Sequence, residues 1–297
     1  MPVLVALRHR TVYRYDRPVA LGPQTIRLRP APHARTPIAS YALAVLPEPH
    51  GLHRFQDPQG NLLARALFAH PTARFEVAVE LTAELAPTDP FDFRVDPEAA
   101  DWPFRYPDLL EHELAPYRAS EPVRPWLAGL LAGLPLARQP SVGLLVALNQ
   151  LVRRRIAYAA RLELGVQSPE QTLERGVGSC RDVAWLLVRT ARSLGYAARF
   201  VSGYLVQLAD PEDPASGVEA DAVDLHAWAE VYLPGAGWIG LDATSGLVAG
   251  SGHIPLASGA HPASAAPITG TVEAGAAGFE VEMSIARLPA PADPPAP

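Results

Sequence analysis

The chain of 297 residues contains a single cysteine, Cys180. It sits in Gly176-Val177-Gly178-Ser179-Cys180-Arg181-Asp182, directly ahead of an apolar helical stretch. Two later segments, Asp224-Leu225-His226-Ala227-Trp228 and Gly237-Trp238-Ile239-Gly240-Leu241-Asp242, supply a histidine and an aspartate. A thiol, an imidazole and a carboxylate are the parts of a Cys-His-Asp nucleophilic site. A thiol attacks carbon only once it has ionised. The free N–H groups and dipole at a helix N-terminus favour the ionised form, and Cys180 has that address. Gly176 and Gly178 let the backbone turn tightly and leave the sulfur uncovered.

The roles follow from these types. Cys180 attacks an acyl carbon, and His226 holds the thiolate as an ion pair and then protonates the leaving amine. Asp242 fixes the imidazole tautomer and stabilises its charged form. An oxyanion hole is also required, worth about 2.7–4 kcal/mol per donor. The backbone N–H of Cys180 is one donor, and the side chain of Gln167 or Tyr158 is the candidate for a second. Trp228 is a candidate for the wall of the substrate cleft. Trp185, five residues along the helix, reads as core, and Asp224 as a turn residue. Arg181 and Asp182 either shape the cleft or pair on the surface. His253 and His261 fall in a loop region with no assigned partner.

The elements that must position these groups are legible as patterns. Residues 1–86 alternate in the manner of strands: Ile26 and Leu28; Tyr41, Leu43 and Val45; Phe75, Val77, Val79 and Leu81. They form a β-rich N-terminal domain, in which His9, Tyr13 and Tyr15 read as strand residues rather than ligands. Residues 87–140 are proline-rich, with short helical pieces between Pro87, Pro90, Pro97, Pro103, Pro107, Pro116, Pro122 and Pro125. Glu111-His112-Glu113 there reads as a solvated cluster, because adjacent residues point in different directions and cannot share one ion.

Residues 141–250 form the core. Ser141 opens a helix striped by Val142, Leu145, Leu148, Val152 and Ile156. Ser168-Pro169-Glu170-Gln171 is a capping box. The Cys180 helix carries Val183, Leu187, Thr190, Ala191 and Leu194 on one stripe and stops at Gly195. Strands follow at 197–207, 226–233 and 238–242, with a polar loop from Pro211 to Asp221. His226, Trp228, Glu230 and Tyr232 share one strand face, and Ala227, Ala229, Val231 and Leu233 the other. A hairpin pairing Leu233 with Trp238 would turn His226 and Asp242 to opposite faces. Pairing Tyr232 with Trp238 sets His226 diagonally from Asp242 on one face, within side-chain reach. The chemistry therefore requires an odd loop or a bulge at Gly235 or Gly237. Residues 251–288 form a C-terminal extension with a strand. Residues 289–297 are a Pro/Ala stretch, either a frayed tail or a tether to further domains after residue 297.

Composition narrows the partners. Hydrophobic residues make up 48% of the chain, enough for a packed core. A net charge of −6 gives no reason to expect nucleic acid or an anionic membrane surface as partner. One cysteine excludes an intrachain disulfide and fits a reducing compartment. The N-terminal apolar run lacks a basic flank and is too short for a signal or a span, so a cytoplasmic location is expected. No glycine-rich nucleotide loop, calcium loop or histidine pair at ligand spacing is present, so neither cofactor nor metal is expected.

The run from Gly176 to Tyr204, then Asp224 to Trp228, then Gly237 to Gly246, resembles the bacterial transglutaminase-like domain of the papain superfamily. The first 85 or so residues resemble the β-rich region that accompanies it in bacteria. Gly252-His253-Ile254-Pro255-Leu256-Ala257 and Ser264-Ala265-Ala266-Pro267-Ile268 resemble the subgroup in which this module opens a longer protein. The resemblance implies an α+β fold: an antiparallel β-sandwich-like domain followed by a papain-like core, with the cysteine helix packed on an antiparallel sheet. It implies the triad Cys180, His226 and Asp242, and acyl chemistry on a peptide or protein substrate with an amide or isopeptide bond. Arg181 and Ala243 depart from the residues common at those positions. The leading expectation is a cysteine hydrolase working through a thioester acyl-enzyme. A transglutaminase-type acyltransferase with an amine acceptor and a non-catalytic binding module in a larger protein are the alternatives.

Overall fold

The structure, a computed structural model, describes residues 2–119, 125–161, 163–210, 212, 218–275 and 277–289. Pro122, most of the Pro211–Asp221 loop and the Pro/Ala stretch after residue 289 lie outside the described residues.

The alternating segments become strands β1 (Val3–Val19), β2 (Leu21–Ile26), β3 (Ile38–Leu46), β4 (Gly51–Gln56), β5 (Leu62–Leu67) and β6 (Thr72–Leu85). Their inward residues, among them Leu7, Ile26, Phe75, Val77, Val79 and Leu81, are buried in one cluster. A proline-rich connection follows, with β7 (Asp101–Trp102), α1 (Asp108–Glu113), α2 (Ala115–Arg118), α3 (Pro125–Leu131) and β8 (Gln139–Pro140). It wraps the core through side chains: Trp102 Nε1 donates to the Leu194 carbonyl at 2.7 Å, and the Tyr106 hydroxyl donates to the Tyr232 carbonyl at 2.8 Å. Glu111 pairs with Arg118, and His112 and Glu113 are exposed.

The core contains α4 (Ser141–Arg155), β9 (Ala157–Tyr158), α5 (Pro169–Arg175), β10 (Val177–Gly178) and α6 (Cys180–Ser193). It continues through β11 (Ala197–Gln207), β12 (Ala222–Leu233), β13 (Gly237–Asp242), β14 (Leu247–Val248) and β15 (His253–Gly259). The last five form one sheet in the order β14-β13-β12-β11-β15. Val183, Leu186, Leu187 and Ala191 of α6 and Leu144, Leu145 and Leu148 of α4 are buried with Ala198, Phe200, Ala227, Ala229 and Val231 of the sheet. That placement follows from the stripes: an apolar helix face and an apolar strand face are each stable only when covered.

The chain end departs from a single-strand extension. After β15, strand β16 (Ile268–Val272) pairs with β2, and β17 (Ala277–Arg287) pairs with β1 over eleven positions. The two N-terminal sheets therefore read β17-β1-β6-β3 and β16-β2-β5-β4. Residues 1–86 supply six of these eight strands, and the sandwich is completed by residues that follow the core.

The two halves also share a core. Tyr204, Val206, Ile254 and Leu256 of the core sheet are buried with the sandwich residues. His9, 1% exposed, bridges them: one ring nitrogen meets the Tyr204 hydroxyl at 2.9 Å and the other the Thr11 hydroxyl at 2.8 Å. Burial pushes the His9 imidazole from 6.5 down to about 4. The native state thus keeps it neutral where the unfolded chain already binds a proton. Stability conferred at neutral pH is lost as pH falls from 6.5 towards 4, by up to roughly 3 kcal/mol. Urea unfolding at pH 7 and pH 4.5 checks this: the loss on acidification is larger for wild type than for His9→Gln by about 2–3 kcal/mol. Equal acid sensitivity would remove His9 from the account.

Candidate active site

Three local devices place Cys180. In the first, Ser168 caps α5 and Gln171 closes the capping box, with Pro169 at the first helical position. In the second, α5 ends at Gly176 with φ 63°, and the chain re-enters as β10, parallel to β9, with Gly178 opposite Tyr158. In the third, Ser179 caps α6, so Cys180 is its first residue, where backbone N–H groups lack partners within the helix. The sulfur-bearing residue is partly exposed.

Asp182 organises this corner from beneath, and neither surface pairing nor a cleft position describes it. It is fully buried. Its carboxylate accepts from Ser179 N–H at 2.9 Å, Ser179 Oγ at 2.8 Å and Gln167 N–H at 2.7 Å. Arg161 adds a two-pronged ion pair with 3.0 Å to each oxygen. Burial alone would raise its pKa, but Arg161 and these donors outweigh it and hold the carboxyl below its usual range. Arg181 donates to the carbonyls of Arg161 and Glu163 at 2.9 and 3.1 Å, bracing the segment that carries Arg161.

The hairpin supplies the other two groups. Tyr232 pairs with Trp238 and Leu233 with Gly237, which leaves the three-residue loop 234–236. This is the odd-loop register that brings His226 and Asp242 to one face. Gly235 and Gly237 carry the left-handed φ values it needs, 83° and 74°. His226 Nε2 lies 3.0 Å from Asp242 Oδ2. Asp242 takes Nε2, so Nδ1 is the nitrogen left for Cys180, whose thiol acts on the same ring. Burial by itself would lower the imidazole pKa, but the bond to Asp242 and the nearby Cys180 raise it to about 10.

Asp242 is 1% exposed and accepts from four donors. Thr244 gives its backbone N–H at 2.9 Å and its hydroxyl at 2.6 Å to Oδ1. Oδ2 takes His226 and also His253 Nε2 at 3.3 Å. Burial opposes ionisation of Asp242, yet these donors hold its pKa well below the usual carboxylate range. Asn149 of α4 fixes the following turn by donating to the Asp242 and Leu247 carbonyls at 3.4 and 3.0 Å.

The remaining candidates divide. Tyr158 is 55% exposed and lies opposite Gly178, two residues before Cys180. Gln167 is buried, and its Oε1 accepts from Thr172 Oγ1 at 3.5 Å. Trp228 does not line an open cleft. It is 1% exposed, stacked on His226 at 6.4 Å and edge-on to His253 at 5.1 Å. Space for the indole comes from Gly203 on the neighbouring strand, where a Cβ would stand 2.4 Å from the ring and 2.3 Å from the Ile254 carbonyl. Trp185 is core, with His261 edge-on to it at 5.3 Å. His261 also caps the turn at Ala263, so it has a structural partner.

His253 is the site residue that sequence reasoning missed. The nearest signal was its place in the Gly252-His253-Ile254 run, which says nothing of a partner on another strand. His226, Asp242 and His253 offer ligand atoms within 4.8 Å of one another, the one such grouping among the described residues. Hydrogen bonds already account for that spacing. Chemically, the arrangement offers a nucleophile, a proton carrier beside it and a fixed anion behind the carrier.

Comparison with known proteins bears on the fold and the family. Residues 5–84 match the bacterial transglutaminase-like N-terminal region, and residues 136–243 match the transglutaminase-like superfamily core. An uncharacterized protein of Mycobacterium tuberculosis is 24% identical over 294 residues, covering 95% of this chain and 91% of its own length. One from Mycobacterium leprae is 25% identical over 293 residues, covering 94% and 97%. The crystal structure of a candidate cysteine protease from Cytophaga hutchinsonii superposes with a TM-score of 0.66 at 19% identity, covering 99% of this chain and 93% of that one.

Proposed function

Because this chain belongs to the transglutaminase-like superfamily, we propose that it is a cysteine hydrolase of peptide or isopeptide bonds, with Cys180, His226 and Asp242 as its triad. The carrying observation is the pairing of Asp242 Oδ2 with His226 Nε2 at 3.0 Å, on an imidazole whose hold on a proton Asp242 and Cys180 both strengthen, with Cys180 at the start of a helix. In the reaction, the Cys180 thiolate adds to the acyl carbon and a thioester forms as the C–N bond breaks. His226 gives its proton to the departing amine. Neutral His226 then takes a proton from water as that water attacks the thioester, which returns the acid and the free enzyme. The Cys180 N–H and the half-exposed Tyr158 are the candidates for stabilising the oxyanion. Gln167 is the other side-chain candidate: Thr172 meets its Oε1, so its NH2 group is the part that would donate.

Iodoacetamide labelling tests the triad without knowledge of the substrate, because Cys180 is the sole thiol. A free thiol is ionised to about one part in a hundred at pH 6.5. His226→Ala should therefore label tens of times more slowly than wild type at that pH. Equal rates would mean that no ion pair exists. With an amide substrate, free acid as the product in the presence of a primary amine supports hydrolysis, and a new amide supports transfer.

A further inference from the structure

We propose that His253, from outside the matched core, is a positioning residue of this site: its Nε2–H holds the Asp242 oxygen that orients His226. The inference rests on the triad reading above and adds a fourth group to it.

The direction of the bond follows from the structure. The Gly250 backbone N–H donates to His253 Nδ1 at 3.3 Å. A backbone N–H can only donate, so Nδ1 must be unprotonated, and neutral His253 carries its proton on Nε2. That nitrogen is 3.3 Å from Asp242 Oδ2. The side chain is 12% exposed, and the edge of the Trp228 ring system closes against it. With His253 present, each oxygen of the buried carboxylate has two donors. Without it, Oδ2 keeps only His226, in a place with little access to water, and the carboxylate can swing about its Thr244 contacts. An imidazole is aimed only as well as the acceptor behind it is fixed.

The chain path explains why this group lies outside the matched core, which ends at residue 243. His253 opens β15, which pairs with β11 and not with the Asp242 strand: His253 faces Leu205 and Ile254 faces Tyr204. A register shift lies between Ser202 and Gly203, where a Cβ on Gly203 would stand 2.3 Å from the Ile254 carbonyl. The site is thus assembled from α6, the β12–β13 hairpin and the opening residue of β15.

Two substitutions separate positioning from local structure. His253→Gln places an amide N–H near the position of Nε2 but gives up the acceptor for Gly250. His253→Asn keeps an acceptor near Nδ1 but does not reach Asp242. Iodoacetamide labelling of Cys180 at pH 6.5 is measured for both beside wild type and His226→Ala, with thermal melting to confirm folding. Positioning predicts His253→Asn slower by about tenfold and His253→Gln within about threefold of wild type. Wild-type labelling by His253→Asn, or equal slowing in both variants, overturns the proposal. If His226→Ala itself labels at the wild-type rate, it is the triad reading that fails. A slow His226→Ala beside a wild-type His253→Asn removes only His253.

Discussion

Replacing Asp242 with asparagine should lower turnover by about 10³–10⁴-fold, although Cys-His-Asn sites are functional in papain-like proteases. The reason is the donor census around this residue. Four donors converge on the Asp242 carboxylate: the backbone N–H and hydroxyl of Thr244 on Oδ1, and the imidazoles of His226 and His253 on Oδ2. An asparagine has one oxygen to offer and must turn its NH2 towards one pair. The Thr244 backbone N–H cannot change role, so the oxygen faces Thr244 and the NH2 faces the two rings. His226 Nε2 is then obliged to accept, its proton moves to Nδ1, and an N–H is aimed at the sulfur in place of a proton acceptor. That tautomer cannot take the thiol proton. Turnover of the peptide amide that wild type cleaves fastest in a fluorogenic panel is the measurement. A loss under tenfold would show that the carboxylate charge and its donor set are dispensable.

Much of this was readable from the chain because the decisive constraints are local. The α5 capping box, the stripe behind Cys180 and the hairpin register are set by residues within one or two turns of each other. Demanding that His226 and Asp242 share a face was enough to select the Tyr232–Trp238 pairing, since a slip of one residue inverts every side chain. What escaped depends on contacts between distant segments. His253 reaches Asp242 only because β15 joins the far edge of β11, and no period in the sequence encodes sheet order. Trp228 has the alternation of a cleft residue, but glycine at position 203 on the neighbouring strand lets the indole sink into the sheet. Strands β16 and β17 alternate like any others, and nothing in them tells that they return to β2 and β1. Asp182 looks like an ordinary charged residue of a first helical turn until Arg161 and the Gln167 N–H are seen to converge on it.

That convergence makes Asp182 the second large liability. Asp182→Ala should destabilise the fold by about 3–5 kcal/mol, the range for removing one partner of a buried ion pair. The loss has two parts. Arg161, with 17% of its side chain exposed, loses its buried counter-charge and keeps only the exposed Glu163 at 3.7 Å. The N–H groups of Ser179 and Gln167 lose their acceptor, and an unsatisfied buried donor costs about 1–3 kcal/mol. Removing the cation as well separates the two. Asp182→Ala combined with Arg161→Met should recover part of the stability, and the remainder belongs to the backbone donors. Cys180 labelling should be slower than wild type in both the single and the double variant, because in each the N–H of Ser179, one residue before the nucleophile, is unanchored. Urea unfolding supplies the energies. A single variant within about 1 kcal/mol of wild type would mean that water replaces the carboxylate, and the buried clamp would then not be what holds the start of α6 in place.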